Sequence, residues 1–267
     1  MLEEVLGPDG HADEAAVRAL SEMAARRLAG EPLQYVLGAW AFRALDLSVD
    51  RRALIPRPET EQVVEVALGE ARRFASTLGT QGKKLLVADL GTGSGAIALS
   101  IAAELGADRP ALKVVATDVD PGALELAEAN LRRVARRRPH VAAQVELRRG
   151  SWFEALRPGW RGSFALVVAN PPYVSAEEWE TLEPEVRCEP YGALVAQDGT
   201  DGTPGFGAVE AVLAGALGWL APGGAVVVEM APHHAGVARA RATRAGYRDV
   251  RVEPDLAGRA RAVVGCR

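Results

Sequence analysis

From residue 85 onward the chain alternates short apolar runs with longer helix-forming stretches, and this alternation restricts the fold more than any other feature. The runs Leu85–Leu90, Leu112–Thr117 and Phe164–Ala169 are too continuously apolar for strands with one wet face. They predict an α/β fold in which a mostly parallel sheet is covered by helices on both faces. Helices are expected at Ala96–Glu104, Pro121–Val134, Gly207–Leu220 (stopped by Pro-Gly-Gly) and Ala235–Ala245. Further strands are expected at Val141–Leu147, Ala225–Met230, near Tyr247–Val252 and at Ala260–Val264, which makes seven. A long loop joins Asn170 to about Gly205.

The first part of the chain reads differently. A helix is predicted over His11–Ala29, stopped by Gly30 and Pro32, and the aromatic and β-branched alternation over Ala39–Ile55 predicts a β-hairpin. Pro56 and Pro58 then break the chain, and Thr60 is placed to cap the next helix. A polar connector follows at Leu78–Lys84. The expected division is residues 1–59 as a substrate-recognition segment and 60–267 as the main domain. Net charge is −4 and mean hydropathy +0.01, which argues against broad neutralisation of nucleic-acid phosphates. Cys188 and Cys266 lack metal or disulfide spacing, no apolar run is long enough to span a membrane, and the acidic start is unlike a signal peptide. A cytoplasmic location is expected.

The segment VADLGTGSGAIAL puts Asp89, Gly91, Thr92, Gly93, Ser94 and Gly95 between the first parallel strand and its helix. Alternate glycines let backbone N–H groups approach an anionic or polar ligand at a helix N-terminus. Because Ala96 completes a GxGxxA pattern, a dinucleotide remains open at this point. Asp118 ends the second strand, where a carboxylate accepts both hydroxyls of a ribose; Asp120 is the better placed of the two to cap the helix at Pro121.

After the fourth strand comes Asn170-Pro171-Pro172-Tyr173. Two prolines remove two N–H donors and fix the backbone, so Asn170 Oδ1 and the Pro171 carbonyl can accept both hydrogens of a planar NH2 group, with Tyr173 as an aromatic wall. The glycine loop, Asp118 and this motif together resemble class I (Rossmann-like) methyltransferases that modify NH2 groups. Gly30–Gly38 (GEPLQYVLG) and Ile55–Glu61 (IPRPETE) extend the resemblance to the protein-(glutamine-N5) methyltransferases acting on peptide chain release factors. Glu189-Pro190, Leu220–Gly224 and Asp255–Arg259 add to it. Departures are the 29 residues before Gly30, fewer than the usual N-terminal helical domain, Ser151 in place of an acidic residue, and EMAPHH at Glu229–His234.

The resemblance implies S-adenosyl-L-methionine as cofactor. Gly91 to Gly95 would hold its methionine portion with Asp89 and Asn170 nearby, Asp118 its ribose, and Trp152 its adenine region. Asn170, Pro171, Pro172 and Tyr173 would hold the target glutamine amide, with Asn170, Pro171 and Tyr173 as the catalytic group. The expected partner is a release factor presenting a glycine-flanked glutamine, admitted past Tyr173 and the hairpin around Phe42. The alternatives are glutamine methylation of a different protein and methylation of an adenine amino group in nucleic acid, which the six glutamates of Glu177–Glu189 would repel. No metal and no general base are expected. Arg132–Arg138 reads as a solvated basic helix end, and the adjacent His233 and His234 as surface residues.

Overall fold

The computed structural model describes residues 14–77, 84–109 and 111–267. The expected helix start at 11–13 and most of the connector 78–84 lie outside the described residues. Helix α1 (Glu14–Leu28) and the short α2 (Leu33–Leu37) precede a hairpin of β1 (Ala39–Phe42) and β2 (Leu45–Ser48). The hairpin is shorter than expected: residues 49–57 leave it as a loop. Helix α3 (Pro58–Thr77) follows, so the division after residue 59 falls in its first turn. Thr60 is buried inside that turn and does not cap the helix.

The main sheet contains β3 (Leu85–Leu90), β4 (Leu112–Asp118), β5 (Val145–Arg149), β6 (Phe164–Ala169), β7 (Leu220–Glu229), β8 (Arg248–Pro254) and β9 (Ala260–Cys266), between which lie helices α4 (Ala96–Leu105), α5 (Pro121–Ala135) and α6 (His140–Gln144). Spatial order is β5-β4-β3-β6-β7-β9-β8, parallel except for β9, which runs antiparallel to β7 and β8. All six residues of both β3 and β6 are buried. Alternate residues serve opposite faces: Val87 packs with α3, α4 and the hairpin residues Phe42, Leu45 and Leu47, whereas Ala88 packs with Phe206 and with Val209, Val212 and Leu213 of a later helix. That period of two, on strands without a polar position, makes the sheet a central layer.

Two strand boundaries differ from expectation for local reasons. Residues 140–144 form α6 rather than the start of a strand: Pro139 precedes the turn, Val141 is buried, and Gln144 Nε2 donates to the carbonyls of Gly106 and Arg109. Strand β7 begins at Leu220, before the Pro-Gly-Gly, because Leu220 already pairs with Phe164; the three residues form an irregularity within the pairing, with Gly223 at φ +82°. The preceding helix, Gly207–Ala216, is correspondingly shorter. The long connection after β6 carries helical turns at Ala176–Trp179 and Tyr191–Leu194 and is closed on itself by a bridge between Val174 and Val195.

Chain direction reverses its lateral progress between β3 and β6, so the carboxyl ends of these neighbouring strands open a crevice, the usual position of a ligand site in an open α/β sheet.

Candidate active site

The glycine loop begins with a bend in which the amides of Gly91 and Thr92 both donate to the Thr117 carbonyl, at 2.9 and 2.8 Å. Gly91, Gly93 and Gly95 all have positive φ, at 75°, 56° and 86°, a conformation that a side chain disfavours. Asp89 stands behind the loop and is fully buried. Its Oδ2 accepts from the Thr92 hydroxyl at 2.6 Å and the Ala98 amide at 3.1 Å, while Oδ1 has no partner. Burial raises its pKa to about 7. Asp89 therefore braces the loop and is not among the residues lining the cavity in front of it.

Asp118, half-buried at the end of β4, accepts from Gly93 N at 2.8 Å through Oδ2 and from Asp120 N at 3.0 Å through Oδ1. Burial raises its pKa. Asp120 caps α5 by accepting from the amides of Gly122 and Ala123, which leaves Asp118 facing the cavity. Trp152 sits at φ +42°, and its ring lies 3.5 Å from where a Cβ on Gly91 would be.

The cavity has a volume of about 300 Å³, at the lower end of the range for small-molecule sites. One side is formed by Gly91–Ser94, Asp118 and Trp152, the other by Asn170, Pro172, Thr60 and the loop 52–57. Its lining does not include Pro171, which is buried, or Tyr173, which is half-buried and turns its hydroxyl to Glu229 Oε1 at 3.3 Å. The backbone explains this: the amides of Tyr173 and Val174 both donate to the Leu194 carbonyl, which draws the segment behind the crevice. Phe42 is also absent from the lining, because it is a 1% exposed core residue. Its expected place is taken by residues 52–57.

That loop is held from two directions. The Tyr35 hydroxyl donates to the Ala53 carbonyl at 2.9 Å, and Glu189 accepts from the Ile55 amide at 2.8 Å while pairing with Arg57. Glu189 is thus buried and neutralised rather than part of an acidic surface, and burial raises its pKa. Glu185 pairs with Arg27 at 2.8 Å. Asn130 had no place in the sequence reading, yet it is fully buried and joins three segments. Its Nδ2 donates to the carbonyls of Ser48 and Ser94, and its Oδ1 accepts from Ser48 N. The available signal was a lone amide on the apolar face of α5.

His234 is buried, contrary to expectation: its Nε2 meets the Pro204 carbonyl at 2.9 Å and its ring packs edge-on against Phe206. His233 stays exposed. Within the basic run, Arg132 pairs with Glu128 and Arg133 with Asp46 of the hairpin. Among the described residues no helix is long and apolar enough to cross a membrane.

Residues 3–38 match the PrmC N-terminal domain family and residues 70–183 the methyltransferase small domain family. The release factor glutamine methyltransferase of Bordetella pertussis is 41% identical over 247 residues, covering 92% of this chain and 81% of that protein; the one from Moorella thermoacetica is 39% identical, covering 100% and 83%. The chain belongs to the release factor glutamine methyltransferase family. In fold, this methyltransferase is similar to a methyltransferase from Pyrococcus furiosus, with a TM-score of 0.55 at 20% identity, covering 92% and 98% of the two chains.

The cofactor of this methyltransferase is S-adenosyl-L-methionine, and the residues present fit it. The cavity combines a glycine loop that presents backbone amides, an acceptor carboxylate at Asp118 and a flat indole at Trp152, which suit a polar amino acid portion, a ribose and a purine in turn.

Proposed function

We propose that the protein methylates the side-chain amide nitrogen of a glutamine in a peptide chain release factor. The observation that carries this reading is Asn170: it follows the end of β6 directly and lines the same cavity as Gly91–Ser94 and Asp118, with its neighbour Pro171 lacking an N–H. We assign Gly91 to Gly95 to the methionine portion, Asp118 to the ribose and Trp152 to the adenine, with Asp89 bracing the loop from behind. When bound, S-adenosyl-L-methionine supplies an electrophilic methyl group on a sulfonium.

An amide nitrogen is a poor nucleophile because its lone pair is delocalised into the carbonyl. The chain's contribution is orientation: Asn170, which lines the cavity, accepts an NH2 hydrogen through Oδ1 and aims the nitrogen at the methyl carbon, while Pro171, Pro172 and Tyr173 keep this segment rigid from behind. Positioning of this kind supplies on the order of 7 kcal/mol. The nitrogen held by Asn170 would receive the methyl group that the bound cofactor supplies, with the demethylated thioether as leaving group, and would then lose its proton to water. The Asn170 acceptor gains strength as positive charge develops on the nitrogen.

Residues 1–59 are assigned to recognition of the substrate protein. Helix α1 supports this, since it buries none of its residues and exposes Val17, Leu20 and Leu28. Rejection of nucleic acid is supported by the exposed Glu177, Glu180 and Glu183 beside the site, and a cytoplasmic location follows from a release factor substrate. Purified protein incubated with labelled S-adenosyl-L-methionine and either release factor or nucleic acid tests the reading. Mass spectrometry should place one methyl group on a glutamine of the release factor. Methylated adenine with an unmodified release factor would overturn it.

A further inference from the structure

Arg57 lines the cavity with Thr60, Asn170 and Pro172 and has no part in the reaction proposed above. Thr60 Oγ1 accepts from Asn170 Nδ2 at 3.4 Å, and the Thr60 amide donates to the Arg57 carbonyl, one turn earlier, at 3.1 Å. Along this wall the chain passes from Thr60, 4% exposed, to an Arg57 side chain that is 31% exposed, so Arg57 stands toward the mouth. Glu189 holds the guanidinium through Nη2. Among the described residues it is the guanidinium's only partner, which leaves the Nε and Nη1 hydrogens to be donated elsewhere. The segment after Glu189 adds Gly192 to the same lining; it is exposed, with nothing within 4 Å of where a Cβ would stand, so this part of the cavity is open.

We propose that Arg57 is a substrate-binding residue that donates a hydrogen bond to the backbone carbonyl of the target glutamine. The inference rests on the function proposed above. Asn170 takes the far end of the glutamine side chain, and the main chain that carries it must stay nearer the mouth, where Arg57 is. Flanking glycines leave the carbonyl there unshielded by neighbouring side chains.

Chemistry chooses this acceptor over two others. A cationic donor on the glutamine side-chain carbonyl would draw the nitrogen lone pair further into the amide and weaken the nucleophile. A phosphate is drawn by net positive charge, and none is on offer: the Glu189 oxygens accept from the Ile55 amide and from Arg57, so a carboxylate offsets the guanidinium. Arg52, the other cation on the lining, is likewise paired, with Asp50 at 2.6 Å. A backbone carbonyl meets neither objection. It is a neutral acceptor, and a hydrogen bond to it fixes the glutamine without touching the amide that reacts. Glu189 sets the direction of the guanidinium from behind, which reduces what is lost in ordering a long side chain when the substrate binds.

The test compares wild type, Arg57→Met and Arg57→Lys on two forms of the release factor, one natural and one with an ester in place of the peptide bond after the target glutamine, which makes that carbonyl a weaker acceptor. Steady-state kcat and KM are read for each, with cofactor affinity by calorimetry. Arg57→Met should raise KM for the natural release factor roughly 10- to 100-fold, the weight of a hydrogen bond from a charged donor. Its kcat should change less than KM, and cofactor affinity should stay within about twofold, because the Ile55 amide keeps its bond to Glu189. Arg57→Lys keeps the charge paired with Glu189 but loses the fork, and should fall between the two. The ester should raise KM for wild type and leave Arg57→Met unaffected, since one contact is lost only once. An unchanged KM in Arg57→Met, a loss of cofactor affinity that matches the rise in KM, or an equal response of both enzymes to the ester would overturn the proposal. If Arg57→Met does not fold, a wild-type enzyme indifferent to the ester overturns it alone. A wild-type enzyme that leaves the natural release factor unmethylated overturns the function reading instead.

Discussion

Glu189 offers a direct measure of how the cavity wall is held. Its side chain is 1% exposed, and two groups depend on it: the Ile55 amide at 2.8 Å and the Arg57 guanidinium, whose side chain is 31% exposed. Glu189→Ala leaves the Ile55 N–H without its partner, a cost of about 1–3 kcal/mol for a buried donor. Arg57 can regain part of its hydration, so its loss adds about 1 kcal/mol. The sum, about 2–4 kcal/mol, corresponds to a fall in Tm of roughly 4–7 °C for a chain of this size. Glu189→Gln keeps an oxygen for the Ile55 amide and removes only the charge, so it should cost about 1 kcal/mol. Because residues 52–57, Pro190, Gly192 and Ala193 share the cavity lining, cofactor affinity should weaken by about tenfold in the alanine variant, equivalent to about 1.4 kcal/mol. Chemical denaturation and calorimetry with S-adenosyl-L-methionine report both quantities. Equal damage from Gln and Ala would refute the argument, because the charge would then dominate over the backbone contact.

Asn170→Ala should lower methyl transfer by about 100-fold or more while leaving cofactor affinity and Tm nearly unchanged, since the side chain's hydrogen bond within the protein is the long one to Thr60; steady-state rates and calorimetry check this. Gly205→Ala should destabilise the protein by more than about 1 kcal/mol and depress activity, because at φ +65° the added Cβ would meet Tyr173 O at 2.6 Å and Ser175 N at 2.8 Å; denaturation and rate measurements on the variant decide it. For Asp89, the folded pKa of about 7 lies above the ordinary value of 3.8, so its favourable contribution is present in acid and is lost as pH rises from about 4 through about 7. The stability of Asp89→Asn relative to wild type should accordingly rise across that window and then level off, as denaturation at pH 4, 6 and 8 would show.

The parts of the fold that were legible in the sequence rest on short-range signals. A run such as Leu85–Leu90 records two-sided burial in every residue, and Gly91, Gly93 and Gly95 record three positive φ angles in a single turn. Errors arose where one local signal had two readings. Val141 and Val145 look like one strand until Pro139 and the side-chain bonds of Gln144 turn the first half into a helix. Thr60 after two prolines resembles a cap, and adjacent histidines resemble a surface pair, until tertiary packing buries Thr60 and His234. The supporting contacts of the site were beyond reach for a different reason. Arg57 and Glu189 are 132 residues apart, and Asn130 lies 82 residues from Ser48; pairings at such separation leave no periodicity behind.

Four carboxyls at the carboxyl end of the sheet share one physical logic. Asp89 holds the glycine loop through Thr92, Asp118 holds it through Gly93, Glu189 holds residues 55–57, and Glu229 holds Tyr173. Burial raises the pKa of all four, so each lowers stability at neutral pH relative to a group already neutral. An apolar replacement of similar volume would relieve that cost. It could not do what an acceptor-only group does, which is to dictate the direction of every hydrogen bond it receives. The elements bounding the cavity are loops and strand ends, whose amides and hydroxyls have no sheet or helix ladder to orient them. A carboxylate bonded to each, wholly buried in all but Asp118, supplies that missing direction. The apolar sheet provides the excess stability against which four such groups can be kept.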